Sequence, residues 1–394
     1  MSTKVVPRDT LYSSVHLDLS VHGPSQLLDS IFESSPASAP SVDDLAPVVL
    51  YGAGQLGVLA ACFCQDVGVN VRYALDRSAL PNQRLCDTIP VFPVSPAGVR
   101  CNDLVLVTIV TAPFAEIASD LHAAGWNNVL PFYDYALHFS SIHPLNNGWF
   151  FGSLSADDKV NITAVLDKLQ DPHSKAAYLQ FLAWRVLREE WTFDGAPVSM
   201  EDKYSIPQLL RVLTEEETIL DVGAYDGRFL FHLLEVTKGR FSRAYLFEPD
   251  PNNCTVLQQN LSQLSPAQRE KIELSRQAIS DVSGTSTFSS GYGMTSRISS
   301  AGKETVTTVR IDDLHLRPTY LKIHIEGAEM DALLGAVQTL KNSRPIIAIT
   351  IYHNRDGLWK IPSLLISLLE GYELYFRLHN WCGTGALFYA VPAR

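Results

Sequence analysis

A strand–turn–helix signature near the middle of the chain restricts the possible folds more than any other segment. The apolar segment 218–222 runs into Asp-Val-Gly-Ala-Tyr-Asp-Gly, from Asp221 to Gly227, and a helical pattern follows. The small residues let the backbone approach a ligand, and the start of the helix favours negative charge there. Twenty-one residues later Glu248 ends the next apolar segment, where a carboxylate can bind a ribose diol. The signature predicts a parallel α/β sheet with an adenosine-type ligand.

Alternating apolar and helical segments extend this prediction to a whole domain. Seven strands are predicted at 218–222, 244–247, 272–279, 320–325, 346–352, 373–378 and 387–391. A Ser-, Thr- and Gly-rich stretch, 281–309, contains further strand-like pieces at 285–288 and 305–309. The last three strands share a single predicted helix, 361–369. Residues 372–392 are therefore predicted to form a hairpin that places an antiparallel strand at the sheet edge.

A second glycine-rich turn lies nearer the start of the chain. Four strands of a smaller α/β unit are predicted at 47–51, 69–75, 104–110 and 129–131. The first is followed by Gly52-x-Gly54-x-x-Gly57, and Asp76 lies nineteen residues after Gly57, as in a dinucleotide fingerprint. This pattern predicts a second site, for a nucleotide or nucleotide-sugar. The alternative is a structural or degenerate domain whose glycines serve packing alone.

Composition excludes several classes of protein. The chain has a net charge of −11, which argues against nucleic-acid binding, and no apolar run reaches the roughly 18 residues of a membrane helix. The opening MSTKVVPRDT has no apolar stretch typical of a signal peptide, so we expect a cytoplasmic protein. The six cysteines form no C-x-x-C pair and have no histidines at metal-ligand spacing. The sequence therefore predicts no metal site.

Several motifs of the second half occur together in a known order. They are the turn at 221–227, Phe-Glu-Pro-Asp-Pro at 247–251, Ile-Asp-Asp-Leu at 311–314, Leu-Lys-Ile-His-Ile-Glu-Gly-Ala-Glu at 321–329 and Leu-Phe-Tyr-Ala-Val-Pro at 387–392. With them, residues from about 200 to 394 resemble the FkbM family of S-adenosylmethionine-dependent methyltransferases. The resemblance implies a seven-stranded class I methyltransferase fold and S-adenosylmethionine as the cofactor.

The resemblance also implies roles for individual residues. The cofactor-binding residues would be Asp221, Gly223, Ala224, Asp226 and Gly227 around the methionine end, Glu248 at the ribose, and Ala278 and Ile279 at the adenine. Glu326, with Gly327, would border the methyl acceptor. One position departs from the family pattern, because His324 replaces the Asp of Lys-Ile-Asp-x-Glu-Gly.

Methyl transfer to a hydroxyl needs a positioned acceptor and removal of its proton. Positioning supplies much of the acceleration, and a general base is typically worth about 10²- to 10⁴-fold. His324 could be that base, since an unperturbed imidazole has a pKa of about 6.5. Glu326 and His353 are the rival candidates. Each histidine has a structural alternative as a hydrogen-bonded residue at a strand end, and the Asp-to-His change leaves a catalytically silent cofactor-binding protein open.

The length of 394 residues and a 46% hydrophobic content favour two or three folded domains. We predict an N-terminal arm and linker at 1–46, a small Rossmann-like nucleotide-binding-type domain at 47–140, a helical bridge at 141–215 and a methyltransferase domain at 216–394. Both α/β domains are expected to be doubly wound. The segment 289–297 is predicted to be an acceptor lid or an ordinary hairpin loop.

The function predicted from these features is methyl transfer from S-adenosylmethionine to an oxygen, the hydroxyl of a sugar or related small metabolite. One alternative is a nicotinamide-dependent sugar-nucleotide oxidoreductase using the N-terminal turn, although no catalytic Tyr-x-x-x-Lys is found. A silent cofactor-binding protein is the other. The acceptor and the oligomeric state stay open, and a homo-oligomer is compatible with the sequence.

Overall fold

The structure of the chain comprises two compact units. The computed structural model describes residues 12–40, 42, 46–94, 102–143, 145, 152–291, 293–298 and 302–393. The first unit consists of Met1–Lys159, Lys175–Val198 and Asn380–Thr384, and the second of Val160–Ser174, Ser199–His379 and Gly385–Arg394. None of the helices in the described part of the chain combines the length and apolar character needed to cross a membrane.

The first unit is built on a six-stranded sheet. The strands of the whole unit, in chain order, are β1 (Ser14–Leu17), β2 (Val48–Tyr51), β3 (Val71–Leu75), β4 (Arg84–Leu85), β5 (Ile89–Phe92), β6 (Leu104–Val107), β7 (Asn128–Pro131) and β8 (Glu190–Phe193). The sheet has the order β4-β5-β3-β2-β6-β7, and its neighbours pair in parallel except for β4 with β5. β1 and β8 form a separate parallel pair.

Helices cover both faces of this sheet. The helices that lie mainly in the first unit are α1 (Pro24–Glu33), α2 (Gln55–Asp66), α3 (Phe114–Ala123), α4 (Phe132–His138) and α6 (Pro172–Leu187). Alternate residues of β2 point to opposite faces, as in any strand. Leu50 therefore packs in the cluster with α2 and α4, whereas Val49 packs in the cluster with α3. Burial on both faces explains why β2 is a continuous apolar run.

The second unit contains a seven-stranded and a four-stranded sheet. Its strands are β9 (Thr218–Val222), β10 (Arg243–Phe247), β11 (Ile272–Ser275), β12 (Ala278–Ile279), β13 (Gly284–Ser289), β14 (Arg297–Ile298), β15 (Glu304–Val309), β16 (Tyr320–Ile323), β17 (Ile346–Thr350), β18 (Tyr372–Leu378) and β19 (Ala386–Pro392). The larger sheet has the order β11-β10-β9-β16-β17-β19-β18 and the smaller one β12-β15-β13-β14. β19 is antiparallel to both of its neighbours.

The second unit contains both long and short helices. They are α5 (Ala156–Lys168), which begins in the first unit, α7 (Pro207–Leu210), α8 (Arg228–Val236), α9 (Pro251–Leu261), α10 (Pro266–Arg269), α11 (Glu329–Leu334), α12 (Val337–Ser343) and α13 (Gly357–Leu368). In α8 the buried residues Phe229, Leu230 and Leu233 lie on one face and join the core around β9 and β10. This core fixes the turn that precedes α8.

The predicted α/β class and seven-stranded methyltransferase fold are confirmed, including the terminal hairpin of β18 and β19. The predicted edge position of the antiparallel strand is wrong, because β19 lies between β17 and β18. Its residues from Ala386 to Val391 are all buried, which suits an inner strand, whereas β18 carries the exposed Glu373 at the edge. The second strand of the hairpin, β19, is therefore an inner strand of the sheet, and the first, β18, is the edge strand.

Three other segments differ from their predictions. Residues 272–279 form two strands of different sheets, because the polar Arg276 and Gln277 interrupt the apolar pattern and the chain turns there. The segment 1–46, predicted as an arm and linker, contains β1 and α1. The segment 141–215, predicted as a helical bridge, contains β8, and Arg188 just before it forms a buried two-bond ion pair with Asp134 at 2.9 Å.

Candidate active site

A cleft opens at the carboxyl ends of β9, β10 and β16, where ligands bind in open parallel sheets. The predicted residues that line it are Gly223, Glu248, Ala278, Ile279, His324 and Glu326. Its lining also includes residues to which the sequence reasoning gave no cofactor or catalytic role: Tyr225, Asn253, Gln277, Phe288, Ser296 and Arg297.

The turn after β9 depends on its first glycine. Gly223 has a φ of +83°, and a Cβ added there would lie 2.0 Å from the backbone oxygen of His324. The turn therefore lies directly against the chain leaving β16. Tyr225 has a φ of +52°, which is uncommon for a non-glycine residue and is a strain often found at functional sites. The two residues bring backbone of the turn to the wall of the cleft.

Glu248 is buried at the end of β10 and ties the turn in place. Its Oε2 accepts the backbone N–H of Tyr225 at 2.8 Å, and its Oε1 accepts that of Asp250 at 3.0 Å. Burial raises the pKa of Glu248, although these hydrogen bonds offset part of the rise. Oε1 also accepts a hydrogen bond from Asn253 Nδ2 at 3.3 Å, whereas Oε2 keeps a second lone pair that can accept a hydrogen bond from a diol in the cleft.

Asp221 lies beneath the turn. It is fully buried, and its Oδ1 accepts a hydrogen bond of 2.8 Å from Lys322 Nζ, which also donates to the carbonyl of Gly223 at 2.6 Å. Burial raises the pKa of Asp221, and the ammonium of Lys322 opposes that rise. Asp221 is not among the residues that line the cleft. It therefore acts on the turn through Lys322.

The other predicted residues of the turn have structural partners. Ala224 is buried in the core, and Gly227, with a φ of +87°, is the N-cap of α8. Asp226 pairs with Arg228 at 2.7 Å, and this guanidinium holds the pKa of Asp226 below its usual range although burial opposes it. None of the three is among the described residues lining the cleft.

An apolar wall faces the turn. The buried side chains of Ala278 and Ile279 line it together with Phe288 and Ile298 of the hairpin β13–β14. Asn253 lies beside them, and its Nδ2 donates to the carbonyl of Gly293 at 3.0 Å. Apolar side chains with a nearby amide suit a planar base such as adenine.

The segment 289–297 is a hairpin whose loop reaches the cleft. Ser289 pairs with Arg297 in antiparallel register, and Ser296 and Arg297 line the cleft. Asp250 Oδ2 accepts hydrogen bonds from Gly291 N–H at 2.8 Å and Ser296 Oγ at 2.7 Å, while its Oδ1 caps α9. The predicted hairpin loop is confirmed, and a role as an acceptor lid stays a prediction. Asp250 fixes it, a role not predicted from the sequence.

His324, Glu326 and His353 come together where β16 and β17 end. We call these three residues the trio. Glu326 Oε1 lies 3.2 Å from Nε2 of His324 and 3.2 Å from Nε2 of His353. One ligand atom from each residue lies within 4.8 Å of the other two. Glu326 has a φ of +55°, a second strained non-glycine residue at the cleft. His353 is fully buried, and its Nδ1 lies 2.6 Å from Glu329 Oε1.

The trio carries unequal charges. Burial lowers the pKa of His324 to about 4, so this imidazole is neutral at pH 7. Burial would also lower the pKa of His353, but Glu326 and Glu329 outweigh it and raise that pKa to about 10. The imidazoles hold the pKa of Glu326 well below its usual range against the effect of burial. His353 is thus the charged histidine and His324 the neutral one.

Two tyrosines hold His324. Tyr204 Oη and His324 Nδ1 are hydrogen-bonded at 2.9 Å, and Tyr352 Oη lies 3.3 Å from Nε2. Tyr204 belongs to the segment predicted as a helical bridge, where sequence reasoning found no chemistry. It lies 120 residues from His324 along the chain, and no local pattern marks such a contact.

The glycine turn of the first unit has a similar local geometry. Asp76 Oδ2 accepts the backbone N–H of Ala53 at 2.8 Å. A Cβ on Gly57 would lie 2.3 Å from the carbonyl oxygen of Gly52, so Gly57 is required for packing of α2 on β2. A Cβ on Gly54 would meet nothing within 4 Å. The packing alternative thus explains Gly57, and a nucleotide at this turn stays a prediction.

Comparison with solved structures finds a similar fold over most of the chain. Methyltransferase FkbM from Methylobacillus flagellatus KT superposes with a TM-score of 0.62 at 18% identity, covering 94% of this chain and 96% of that chain. At such identity the likeness shows the fold alone. Precorrin-6y C5,15-methyltransferase from Geobacter metallireducens GS-15 gives a TM-score of 0.30 at 13% identity, covering 48% of this chain and 88% of that chain.

Comparison with protein families is more specific. None of the curated proteins matches the chain. The family model described as Methyltransferase FkbM domain matches residues 221–378. This range includes the turn, Glu248, the hairpin that lines the cleft and the trio, so the predicted resemblance is confirmed. The chain therefore carries an FkbM methyltransferase domain over residues 221–378.

Proposed function

We propose that this methyltransferase uses S-adenosylmethionine to methylate a hydroxyl oxygen on a sugar or related small metabolite. One observation carries the proposal: a single cleft holds both a cofactor-type half and a group of titratable side chains. The cofactor-type half is the strained turn with Glu248 and the apolar wall with Ile279. The titratable group is the trio, of which His324 and Glu326 line the same cleft.

The residues of the cleft fit the cofactor in chemical character. Glu248 offers carboxylate lone pairs to a ribose diol, and Ile279 and Phe288 offer apolar surface to an adenine. The backbone of the turn at Gly223 can approach the methionine end because no side chain stands there. When bound, S-adenosylmethionine supplies an electrophilic methyl group on its sulfonium sulfur.

The trio suits the acceptor side of the reaction. An acceptor hydroxyl must lie in line with the methyl group and lose its proton as the new oxygen–carbon bond forms. His324 is neutral at pH 7 and Glu326 is ionised, so both offer lone pairs at the cleft wall. We assign to the trio the binding of the acceptor oxygen and the removal of its proton. The guanidinium of Arg297 lines the same cleft and adds donors for an oxygen-rich acceptor.

Calorimetric titration with S-adenosylhomocysteine tests the proposal. We expect one-site binding in the micromolar range, about −8 kcal/mol, and a loss of at least about tenfold in Glu248→Ala. Glu273→Ala is the matched control, since Glu273 is an exposed glutamate on the neighbouring strand β11 that pairs with Arg243. Absence of binding to a folded sample would overturn the proposal. Binding without transfer to a panel of hydroxyl acceptors would favour the silent cofactor-binding alternative.

A further inference from the structure

The spacing of the trio matches that of ligands around one metal ion. Two nitrogen or oxygen ligands at about 2.1 Å from an ion lie about 3.0 Å apart in an octahedral site and about 3.4 Å apart in a tetrahedral site. Glu326 Oε1 lies 3.2 Å from each histidine Nε2. The third separation, between the two histidines, lies within the 4.8 Å that spans all three ligand atoms, so a small adjustment of the side chains would place them around one ion.

The hydrogen-bond partners of the two histidines also correspond to those of metal-binding histidines. A metal-binding histidine usually has its second ring nitrogen hydrogen-bonded to a carboxylate or another fixed polar group. His353 Nδ1 lies 2.6 Å from Glu329 Oε1, and His324 Nδ1 is hydrogen-bonded to Tyr204 Oη at 2.9 Å. Nε2, the atom near Glu326, is therefore the candidate ligand atom of both imidazoles. At His324 the ion would replace the contact with Tyr352 Oη, and at His353 it would replace the proton that Nε2 carries in the metal-free protein.

One atom of the trio has no hydrogen bond. His353 Nε2 is buried and, although it lies 3.2 Å from Glu326 Oε1, it is not aligned for a hydrogen bond with any group in the described part of the chain. A buried polar atom without a partner is costly and calls for a physical explanation. A cation bound between His353 and Glu326 would provide one, and it would also balance the two buried carboxylates of Glu326 and Glu329.

We propose that His324, Glu326 and His353 bind a divalent transition-metal ion that holds the acceptor oxygen. This inference rests on the proposed function and specifies how its acceptor is bound. Two imidazoles and one carboxylate favour ions such as Mn²⁺, Co²⁺ or Zn²⁺ over Mg²⁺, which prefers all-oxygen sites. The ion polarises the acceptor hydroxyl, whose proton passes to the second carboxylate oxygen of Glu326 and then to water while the oxygen–carbon bond forms and the sulfur–carbon bond breaks.

The sequence predicted no metal site, and the reason is the spacing. The three ligands come from His324-x-Glu326 after β16 and from His353 after β17. That pattern is not one of the local metal-ligand spacings, and only the parallel pairing of β16 with β17 brings its parts together. The three ligands are therefore brought together by the sheet and not by a local sequence motif.

Titration with CoCl₂ tests the inference directly. The full-length, tag-free protein is stripped with EDTA, and binding is followed by the visible d–d absorption of Co²⁺ and by its stoichiometry. We expect one site per chain, lost in Glu326→Gln and in His353→Asn. His232→Asn is the matched control, because His232 is hydrogen-bonded to Ser205 outside the trio. Glu329→Gln leaves all three ligands and should weaken Co²⁺ binding about 10- to 100-fold.

Each outcome of the Co²⁺ titration either supports or overturns the proposed metal site. Absence of a one-to-one site in the stripped wild type, or an unchanged titration in Glu326→Gln, would overturn the inference. Circular dichroism and thermal unfolding without metal identify variants that do not fold, and Glu329→Gln then carries the test. Titration of the same samples with S-adenosylhomocysteine keeps the two proposals apart. Binding and full turnover in EDTA would remove the metal alone, whereas a Co²⁺ site without cofactor binding would remove the proposed function alone.

Discussion

The two units contain glycine turns of the same local design. In each, a carboxylate at the end of the second strand accepts a backbone N–H of the turn at 2.8 Å, from Ala53 to Asp76 and from Tyr225 to Glu248. Both pairs are separated by 23 residues. Beyond this bond the turns differ. Asp76 is partly exposed and also binds Ser78, whereas Glu248 is buried beside the cleft.

The comparison shows that a glycine turn with an acidic strand end is first of all a way to close a loop. Asp76 and Glu248 each hold the turn of their own unit, whatever ligand follows. What distinguishes the second turn is its neighbour, because Gly223 packs on the backbone of His324 and so places the turn beside the trio. The titratable side chains beside the second turn therefore follow the strand next to it and do not belong to the turn itself.

Glycine substitutions should have the largest effect and should separate the two turns. Gly223→Ala combines a left-handed φ with a Cβ 2.0 Å from a carbonyl oxygen, so we expect a loss of about 2–5 kcal/mol in the free energy of unfolding. Gly57→Ala places its Cβ 2.3 Å from the Gly52 carbonyl without positive φ, and should cost about 1–3 kcal/mol. Urea unfolding measures both.

The same variants test the functional half of the comparison. Binding of S-adenosylhomocysteine should fail in Gly223→Ala and persist in Gly57→Ala, because Gly57 belongs to the first unit. Gly54→Ala is the control for the turn itself, since its Cβ meets nothing within 4 Å and only the N-cap preference of α2 is affected, at less than about 1 kcal/mol. Equal losses in all three variants would contradict this division.

The buried charges of the trio should produce the next largest effect, a dependence of stability on pH. In the metal-free protein the folded pKa of His353 is about 10, above its unfolded value of 6.5. Its contribution is therefore fully present below pH 6.5 and is lost as the pH rises through about 10. We expect the free energy of unfolding of the wild type to fall over this window.

Variants identify the source of that fall. Glu329→Gln removes one of the two carboxylates that raise the pKa of His353, so the loss should still begin near pH 6.5 but be complete at a lower pH and be smaller in total. His353→Gln cannot take up the proton and should show a flatter profile. Urea unfolding in EDTA between pH 6.5 and 10 provides the measurement. A profile in Glu329→Gln identical to that of the wild type would show that His353 is not the titrating group.

Much of the fold follows from local sequence patterns. The central strands of both sheets are rich in apolar residues, since they are buried on both faces, and this is why β2, β6, β9 and β16 could be predicted. The short strands β4 and β5 were missed because a few residues containing Pro90 show no periodicity. β1 and β8 pair across more than 170 residues, and no local pattern indicates such a partner.

The residues of the site divide in the same way, into those marked by a local sequence pattern and those brought in from a distant segment. Gly223 and Glu248 belong to one contiguous strand–turn–helix signature, and His353 was a candidate because it directly follows a predicted strand. Tyr204 and Asp250 were missed, for different reasons. Tyr204 reaches His324 from a segment without any motif, and Asp250 has the ordinary appearance of an N-cap before Pro251 while its second oxygen fixes the hairpin.

The smallest predicted effect is the pH dependence of stability that Asp76 and Glu248 themselves cause. The direction of this dependence distinguishes the two carboxylates. Hydrogen bonds from Ala53 and Ser78 lower the pKa of Asp76 although burial opposes them, so its contribution to stability is present above pH 3.8 and is lost at lower pH. Burial raises the pKa of Glu248, so its contribution is present below pH 4.5 and is lost as the pH rises through the higher folded value.

Asp76→Asn and Glu248→Gln should therefore respond to acid in opposite directions. As the pH falls from 7 toward 4 and below, the stability of the wild type relative to Glu248→Gln should rise, whereas its stability relative to Asp76→Asn should fall. Urea unfolding of the wild type and both variants at each pH gives the two differences. If both differences moved in the same direction, the two turns would share one electrostatic environment. The contrast between an exposed loop closure and a buried ligand site would then be lost.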